Sequence, residues 1–149
     1  MVELIIESIS IMLNAAFGDG YTVYQESVEQ GLSEPCFFIQ SIKAACNLFH
    51  DRRYYCENKL CIQYFPQSEL EPKAECETVA FKLYEVMEWL TFHDDGTQVM
   101  GKELHHEIED GVLSFFVDYD FFLLKVPEQT NMETLEVKQR SKEDQSNGS

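Results

Sequence analysis

The chain has 149 residues, enough for one domain with a sizeable core and too few for two. Hydrophobic residues make up 44% and aromatic residues 13%, which excludes global disorder despite a formal net charge of -16. Of the charged residues, 22 acidic and 8 basic ones lie before residue 127, so the charge belongs to the folded part. Such a surface repels phosphate backbones and argues against direct binding of DNA or RNA.

A helix is predicted first, because apolar residues recur at three- and four-residue spacing from Val2 to Phe17 and Gly18 then interrupts the pattern. Acidic residues break the apolar run and no basic segment precedes it, so neither a signal peptide nor a membrane span is expected. The segment that begins at Tyr21 predicts a short strand. The next two runs, CFFIQSIKAACNLF and RYYCENKLCIQYF, predict a long antiparallel hairpin.

A second amphipathic helix is predicted after Pro66, with an apolar stripe that extends from Cys76 to Leu90. Ser68 and Glu71 are alternative caps, and the sequence does not choose between them. Strands from Val99 to Glu109 and from Val112 onward follow. The Asp-Gly pair at residues 110–111 joins them in a predicted hairpin.

These elements predict an α+β domain over residues 1–126, an antiparallel sheet with two amphipathic helices on one face. Residues 127–149 form a C-terminal extension, in which the alternating segment 132–137 is predicted to be a strand that docks on a neighbour and 138–149 is predicted to be disordered. The cysteines are odd in number, lack CxxC spacing and are interpreted as small buried hydrophobes in a reducing compartment. They are Cys36, Cys46, Cys56, Cys61 and Cys76.

The run FFVDYDFF, residues 115–122, carries the most informative pattern. Side chains alternate across a sheet, so the odd positions are predicted to face the helices and the even positions to face outward. Clustered apolar groups on an outward face are typical of a protein interface. The predicted interface residues of this strand are Phe116, Asp118, Asp120, Phe122 and Leu124.

A metal or catalytic site is the alternative interpretation of Asp118 and Asp120. Along a strand the two lie about 6.5 to 7 Å apart, too far for one ion unless their side chains converge and other ligands join. His105 on the neighbouring strand could supply a further metal ligand. The alternative function is therefore a small metal-dependent enzyme that uses Asp118, Asp120 and His105. A general acid and base pair is a further option. The same residues are also explained as solvated polar positions on a strand, with no catalytic or metal-binding role. No cofactor is predicted.

Several segments resemble the tail terminator proteins of phages and prophages of Gram-positive bacteria. They are VEQGLSEPCFFI, RYY, IQYFPQSE, the acidic helix that contains a cysteine, and EIEDGVLSFFVDYDFFL. The resemblance implies a structural protein and not an enzyme. It implies a homo-hexameric ring that caps the tail tube, stops tail polymerisation and provides the surface for neck and head attachment.

The partners implied by the resemblance are the tail tube protein, a neck or connector protein and, in a contractile tail, the sheath protein. DNA would pass through the lumen without specific binding, aided by like charge on the walls. The protein is expected in the host cytoplasm during assembly and then at the neck end of the virion tail or in a phage-tail-like particle, with no membrane contact. Met132, Leu135 and Val137 join the predicted subunit contacts. Another head-to-tail joining protein and an acidic inhibitor that mimics DNA are alternatives.

Overall fold

A computed structural model describes residues 1–25 and 33–124 of the chain. The predicted strand at residues 132–137 and the predicted disorder at 138–149 lie outside this part. In chain order the elements are α1 (Val2–Phe17), β1 (Thr22–Tyr24), β2 (Cys36–His50), β3 (Arg53–Phe65), α2 (Pro72–Val86), β4 (Trp89–Thr91), β5 (Gln98–Glu109), β6 (Val112–Tyr119) and β7 (Phe121–Leu124).

The strands form one sheet in the order β1-β2-β3-β6-β5-β4, and β7 continues along β3 beyond β6. The prediction of a purely antiparallel sheet is wrong, because β1 pairs with β2 in parallel. A three-residue strand has no side-chain pattern that indicates its direction, which explains the error. The other predicted pairings are confirmed: β2 with β3 and β5 with β6 are both antiparallel.

Both helices pack on one face of this sheet, which we call the helix face, as the sequence predicts. The buried cluster joins Ile5, Ile9 and Leu13 of α1 to Val79 and Leu83 of α2. The sheet contributes its alternate positions, namely Phe37, Ile39, Leu60, Ile62, Tyr64, Leu113, Phe115, Val117 and Tyr119. Because α1 contacts β1 and β2 as well as β4, from opposite ends of the strand order, the sheet curls around it.

The start of α2 identifies Glu71 as the N-cap residue, although its side chain makes no cap hydrogen bond. Glu71 occupies the N-cap position and the Ser68 hydroxyl accepts its N–H at 3.0 Å. The Glu75 carboxylate accepts the N–H groups of Gln67 and Ser68, each at 2.9 Å, and the Tyr64 hydroxyl donates to the same group. Burial acts to raise the pKa of Glu75, but these three hydrogen bonds outweigh it and lower the pKa below its usual value.

The end of α2 differs from the prediction. The helix stops at Val86, and Leu90 lies instead in β4, where it pairs with Val99 of β5. Leu90 is fully buried. Its spacing therefore predicted its burial correctly, but it predicted a helix where the backbone forms a strand. Gly101 fits tightly here, because a Cβ atom on it would lie 2.9 Å from the Met87 carbonyl oxygen.

Three cysteines fit the sequence interpretation and two do not. Cys36, Cys61 and Cys76 are buried free thiols, and burial raises the pKa of Cys61 and of Cys76 to about 11. Cys46 and Cys56, which are opposite each other on β2 and β3, are joined by a disulfide. The interpretation of all five as reduced hydrophobes is therefore wrong for this pair.

The far half of the β2–β3 hairpin, residues 42–54, continues beyond the part of β2 that pairs with β1, and we call it the arm. β1 covers the edge of β2 only as far as Phe38. Beyond that point most of the β2 side chains are exposed, in contrast to the buried Phe37 and Ile39 near its start. The base of the hairpin thus belongs to the core, and its far end is exposed on the surface.

Candidate interface on the outer face of the sheet

The outer face is the side of the sheet that faces away from the helices. Its position follows from the register of β6 and β7, which pair with β3 at the same offset from Leu113 to Asp118 and again from Phe121 to Leu124. The even-numbered residues of this strand therefore point outward together. With their cross-strand neighbours they form what we call the outer strip: Lys43, Tyr55, Glu57, Lys59, Lys102, His105, Phe116, Asp118, Asp120 and Phe122.

Ion pairs occupy the middle of the outer strip. The Lys59 ammonium lies 2.9 Å from a carboxylate oxygen of Asp118, and the Lys102 ammonium lies 3.0 Å from one of Asp120. The Asp120 side chain is only 9% exposed, while that of Lys102 is 51% exposed. A longer pair at 3.5 Å joins Lys43 to Glu57. The strip therefore neutralises its own charge, unlike the rest of an acidic protein.

Asp120 is the most highly connected residue of the strip. Its carboxylate accepts the Asn58 backbone N–H at 3.0 Å and the Tyr55 hydroxyl at 3.5 Å. The Asn58 amide in turn donates to the Tyr119 carbonyl oxygen at 3.1 Å, so side chains hold the two strands together where β6 gives way to β7. Hydrogen bonds to Asp120 and Tyr55 raise the pKa of Lys102 above its usual value.

Two β-bulges bring lysines onto this face. The register of β2 shifts between Ser41 and Lys43, and that of β5 shifts between Lys102 and His105. At the second bulge Glu103 has a φ of 56°, in the left-handed region. A bulge adds one residue to one strand and reverses the alternation beyond it. As a result Lys102 and His105 share the outer face, although strict alternation would put them on opposite faces.

Aromatic side chains border the ion pairs at both ends. The His105 ring stacks on Phe116 with 4.8 Å between centroids. At the other end Phe122 lies between Tyr55, at 4.9 Å, and Phe49 of the arm, at 5.1 Å. Phe49 is 63% exposed, so this end of the strip continues into an apolar surface on the arm. Aromatic side chains are enriched in protein interfaces, which makes this surface a candidate for one.

The structure gives the two aspartates partners that a metal site does not use. Each carboxylate is bound by a lysine, and His105 lies against Phe116 with its Nδ1 2.9 Å from the Glu103 carbonyl oxygen. Within residues 1–25 and 33–124, no three His, Cys, Asp or Glu side chains form a group that could hold a metal ion. Both aspartates of the D-x-D pattern are thus paired with lysines of the same subunit.

The predicted interface residues fall into two groups. Phe116, Asp118, Asp120 and Phe122 all lie on the outer strip, while Leu124 pairs with Arg53 near the arm tip. Met132, Leu135 and Val137 lie outside the described residues. Sequence reasoning missed the lysines of the strip, since only the bulges place Lys43 and Lys102 there. A left-handed Glu103 leaves no signal in a single sequence that would have revealed the second bulge.

Comparison with known families decides what kind of protein carries this strip. A family model described as phage tail terminator protein matches residues 4–131, which include all of the described elements except the first two residues of α1. The chain belongs to the phage tail terminator family. No curated protein matches the chain closely enough to add to this assignment.

Membership of the tail terminator family gives the outer strip a context. The family has a structural role in tail completion, and a terminator functions by contact with other components of the tail and head. Among the described residues, neither helix is long and apolar enough to cross a membrane. A surface of paired charges and aromatic groups is therefore a candidate for one of the assembly contacts.

Proposed function

We propose that the chain is the subunit of a homo-hexameric ring that caps the tail tube, stops tail polymerisation and presents a surface to the neck. Family membership supports the role in tail completion. The outer strip is the observation that carries the ring. It offers a contact surface whose charges are already paired within the subunit, so a neighbour can cover it without burying an unpaired charge.

The strip is proposed to contact the neighbouring subunit through Phe116 and Phe122, with Leu124 at its edge. Asp118 and Asp120 contribute indirectly, because they hold Lys59 and Lys102 in place between the aromatic groups. The C-terminal segment with Met132, Leu135 and Val137 is proposed to add a strand to a neighbour. Its alternation of apolar and polar residues suits pairing with an exposed sheet edge.

The remaining acidic surface is proposed to line the passage for DNA. A negative wall repels the phosphate backbone, so DNA passes without being bound. The ring's partners in this proposal are the tail tube protein, a neck or connector protein and, if the tail is contractile, the sheath protein. The chain acts by binding and not by catalysis, first in the host cytoplasm and then at the neck end of the tail.

The test combines the purified chain with tail tube protein and follows tube length and the mass of the complex. We expect short tubes that stop growing and carry a sixfold ring at one end in electron micrographs. Phe116→Ala should weaken this capping, whereas Leu70→Ala, an exposed apolar residue outside the strip, should not. Tubes that keep growing in the presence of the chain would contradict the proposal, and binding only to the connector would identify another neck protein.

A further inference from the structure

We propose that the arm tip of one subunit docks on the surface at the end of α2 in a second copy of the chain. This inference rests on the ring proposed above and names the two unlike surfaces that its contact needs. A closed ring with cyclic symmetry joins a surface on each subunit to a different surface on the next. The outer strip and the arm tip are on one side of that contact, and the structure assigns the other side.

The arm presents apolar and basic groups together. Leu48 and Phe49 are 60% and 63% exposed, and Arg52 and Arg53 follow at the tip. Neither guanidinium forms an ion pair with another described residue. Arginine beside exposed aromatic groups is a combination enriched in the residues that contribute most to binding energy.

Positive charge is concentrated on this side of the subunit. Seven Lys and Arg residues lie in the described part of the chain. Five of them are on the outer strip or at the arm tip, namely Lys43, Arg52, Arg53, Lys59 and Lys102. Since the lysines of the strip are already paired with carboxylates, the two arginines are the groups that remain available to an acidic partner.

The end of α2 offers the complementary surface. Glu85 and Glu88 are exposed and have no ion pair with another described residue, and the last turn of the helix contains no basic residue. The carbonyl groups at a helix C-terminus add partial negative charge there. Next to them Trp89 of β4 and Met100 of β5 pair across the strands and are 45% and 53% exposed. We call these four residues the acceptor surface.

The chemistry of the two surfaces matches in two respects. Carboxylates and a helix C-terminus attract the arginines, and a guanidinium can also stack on the Trp89 ring. The exposed Phe49 can cover Trp89 and Met100. Two strands, β6 and β5, separate the hairpin from β4 in the sheet order, so the surfaces lie on different parts of one subunit. Their contact is therefore head-to-tail, as a ring requires.

Trp89 provides the readout, because it is the only tryptophan in the chain. The experiment records tryptophan fluorescence and complex mass as the full-length protein assembles on tail tubes. Covering the indole removes it from water, so its emission should shift to shorter wavelength as rings form. A ring that forms while the Trp89 emission stays unchanged would overturn this inference and leave the ring itself intact.

Matched variants test the arginines. Arg52→Gln with Arg53→Gln and the single change Lys73→Glu make the net charge more negative by the same two units, but only the first pair alters the arm tip. We expect the arm variant to raise the concentration needed for assembly about tenfold or more, and Lys73→Glu to leave it near that of the wild type. Equal effects of the two variants would contradict docking through the arm tip.

A charge exchange makes the test specific for the partner surface. Arg52→Glu with Arg53→Glu should abolish assembly, and adding Glu85→Arg and Glu88→Arg in the same chain should restore it, because each contact again joins opposite charges. Failure of this restoration, with arm contacts to the tube protein found instead by cross-linking, would overturn the inference. If the wild-type chain forms no ring on tubes at all, the proposed function fails together with it.

Discussion

The helix face and the outer face of β3 and β6 are made by alternate residues of the same strands, yet they differ in almost every property. On the helix face Leu60, Phe115 and Val117 are fully or almost fully buried in a continuous apolar cluster. On the outer face Lys59, Phe116 and Asp118 are partly exposed and combine ion pairs with stacked rings. One face stabilises the subunit, and the other is the face proposed for assembly. Stability and assembly should therefore respond to different substitutions.

The largest difference is expected between neighbouring phenylalanines. Phe115→Ala removes a fully buried ring and should lower the free energy of unfolding by about 3–5 kcal/mol. Phe116→Ala removes a half-buried ring and should lower it by only about 1 kcal/mol. Urea denaturation of the two variants checks this. Similar losses in the free energy of unfolding would show that the outer face stabilises the subunit as much as the helix face does.

A smaller difference is expected between the two aspartates of the outer strip. Asp120→Asn weakens the contact with Lys102 and disturbs the hydrogen bonds from Asn58 and Tyr55, so we expect a loss of about 1–3 kcal/mol. Asp118→Asn affects one lysine at a more exposed position and should cost about 1 kcal/mol or less. Thermal unfolding at constant pH measures both, and a larger loss for Asp118→Asn would contradict the observed connections.

The smallest effect concerns the Glu75 carboxylate, which links Tyr64 of β3 to the loop before α2. The folded-state pKa of Glu75 is lowered, so its stabilisation is complete above the unfolded pKa of about 4.3 and disappears as the pH falls through the folded value. Glu75→Gln should therefore cost about 1 kcal/mol at neutral pH and progressively less below about pH 4. Unfolding curves over this pH range test the prediction, with Tyr64→Phe as a control that removes one donor. A pH-independent loss would exclude the charge as its cause.

The two faces also differ in how far the sequence predicts them. Burial of Leu113, Phe115 and Tyr119 follows from simple alternation, because one apolar face must pack on the helices. The composition of the outer strip does not follow, since it depends on bulges that no residue pattern marks. The parallel pairing of β1 was missed because three residues carry no directional signal. Strand β4 was missed because Leu90 continues the spacing of α2.

Family resemblance supplied what the residue pattern alone could not. The spacing of the D-x-D pair suits solvated positions on a strand best, but it leaves a metal site and an acid-base pair open. The recognised segments of the hairpins indicated a tail protein, and the match over residues 4–131 confirms that prediction. The partners of Asp118 and Asp120 became evident only with the cross-strand register, because both lysines lie on other strands.

The bulge at Glu103 is a point at which the length of β5 can change without a change in the outer strip. Without that single residue Lys102 and His105 would be two positions apart, and regular alternation would still put both on the outer face. Lys102 would then keep its place beside Asp120. Related chains that differ by one residue at this point of β5 can therefore present the same contact surface, and a difference in strand length here does not by itself indicate a change of partner.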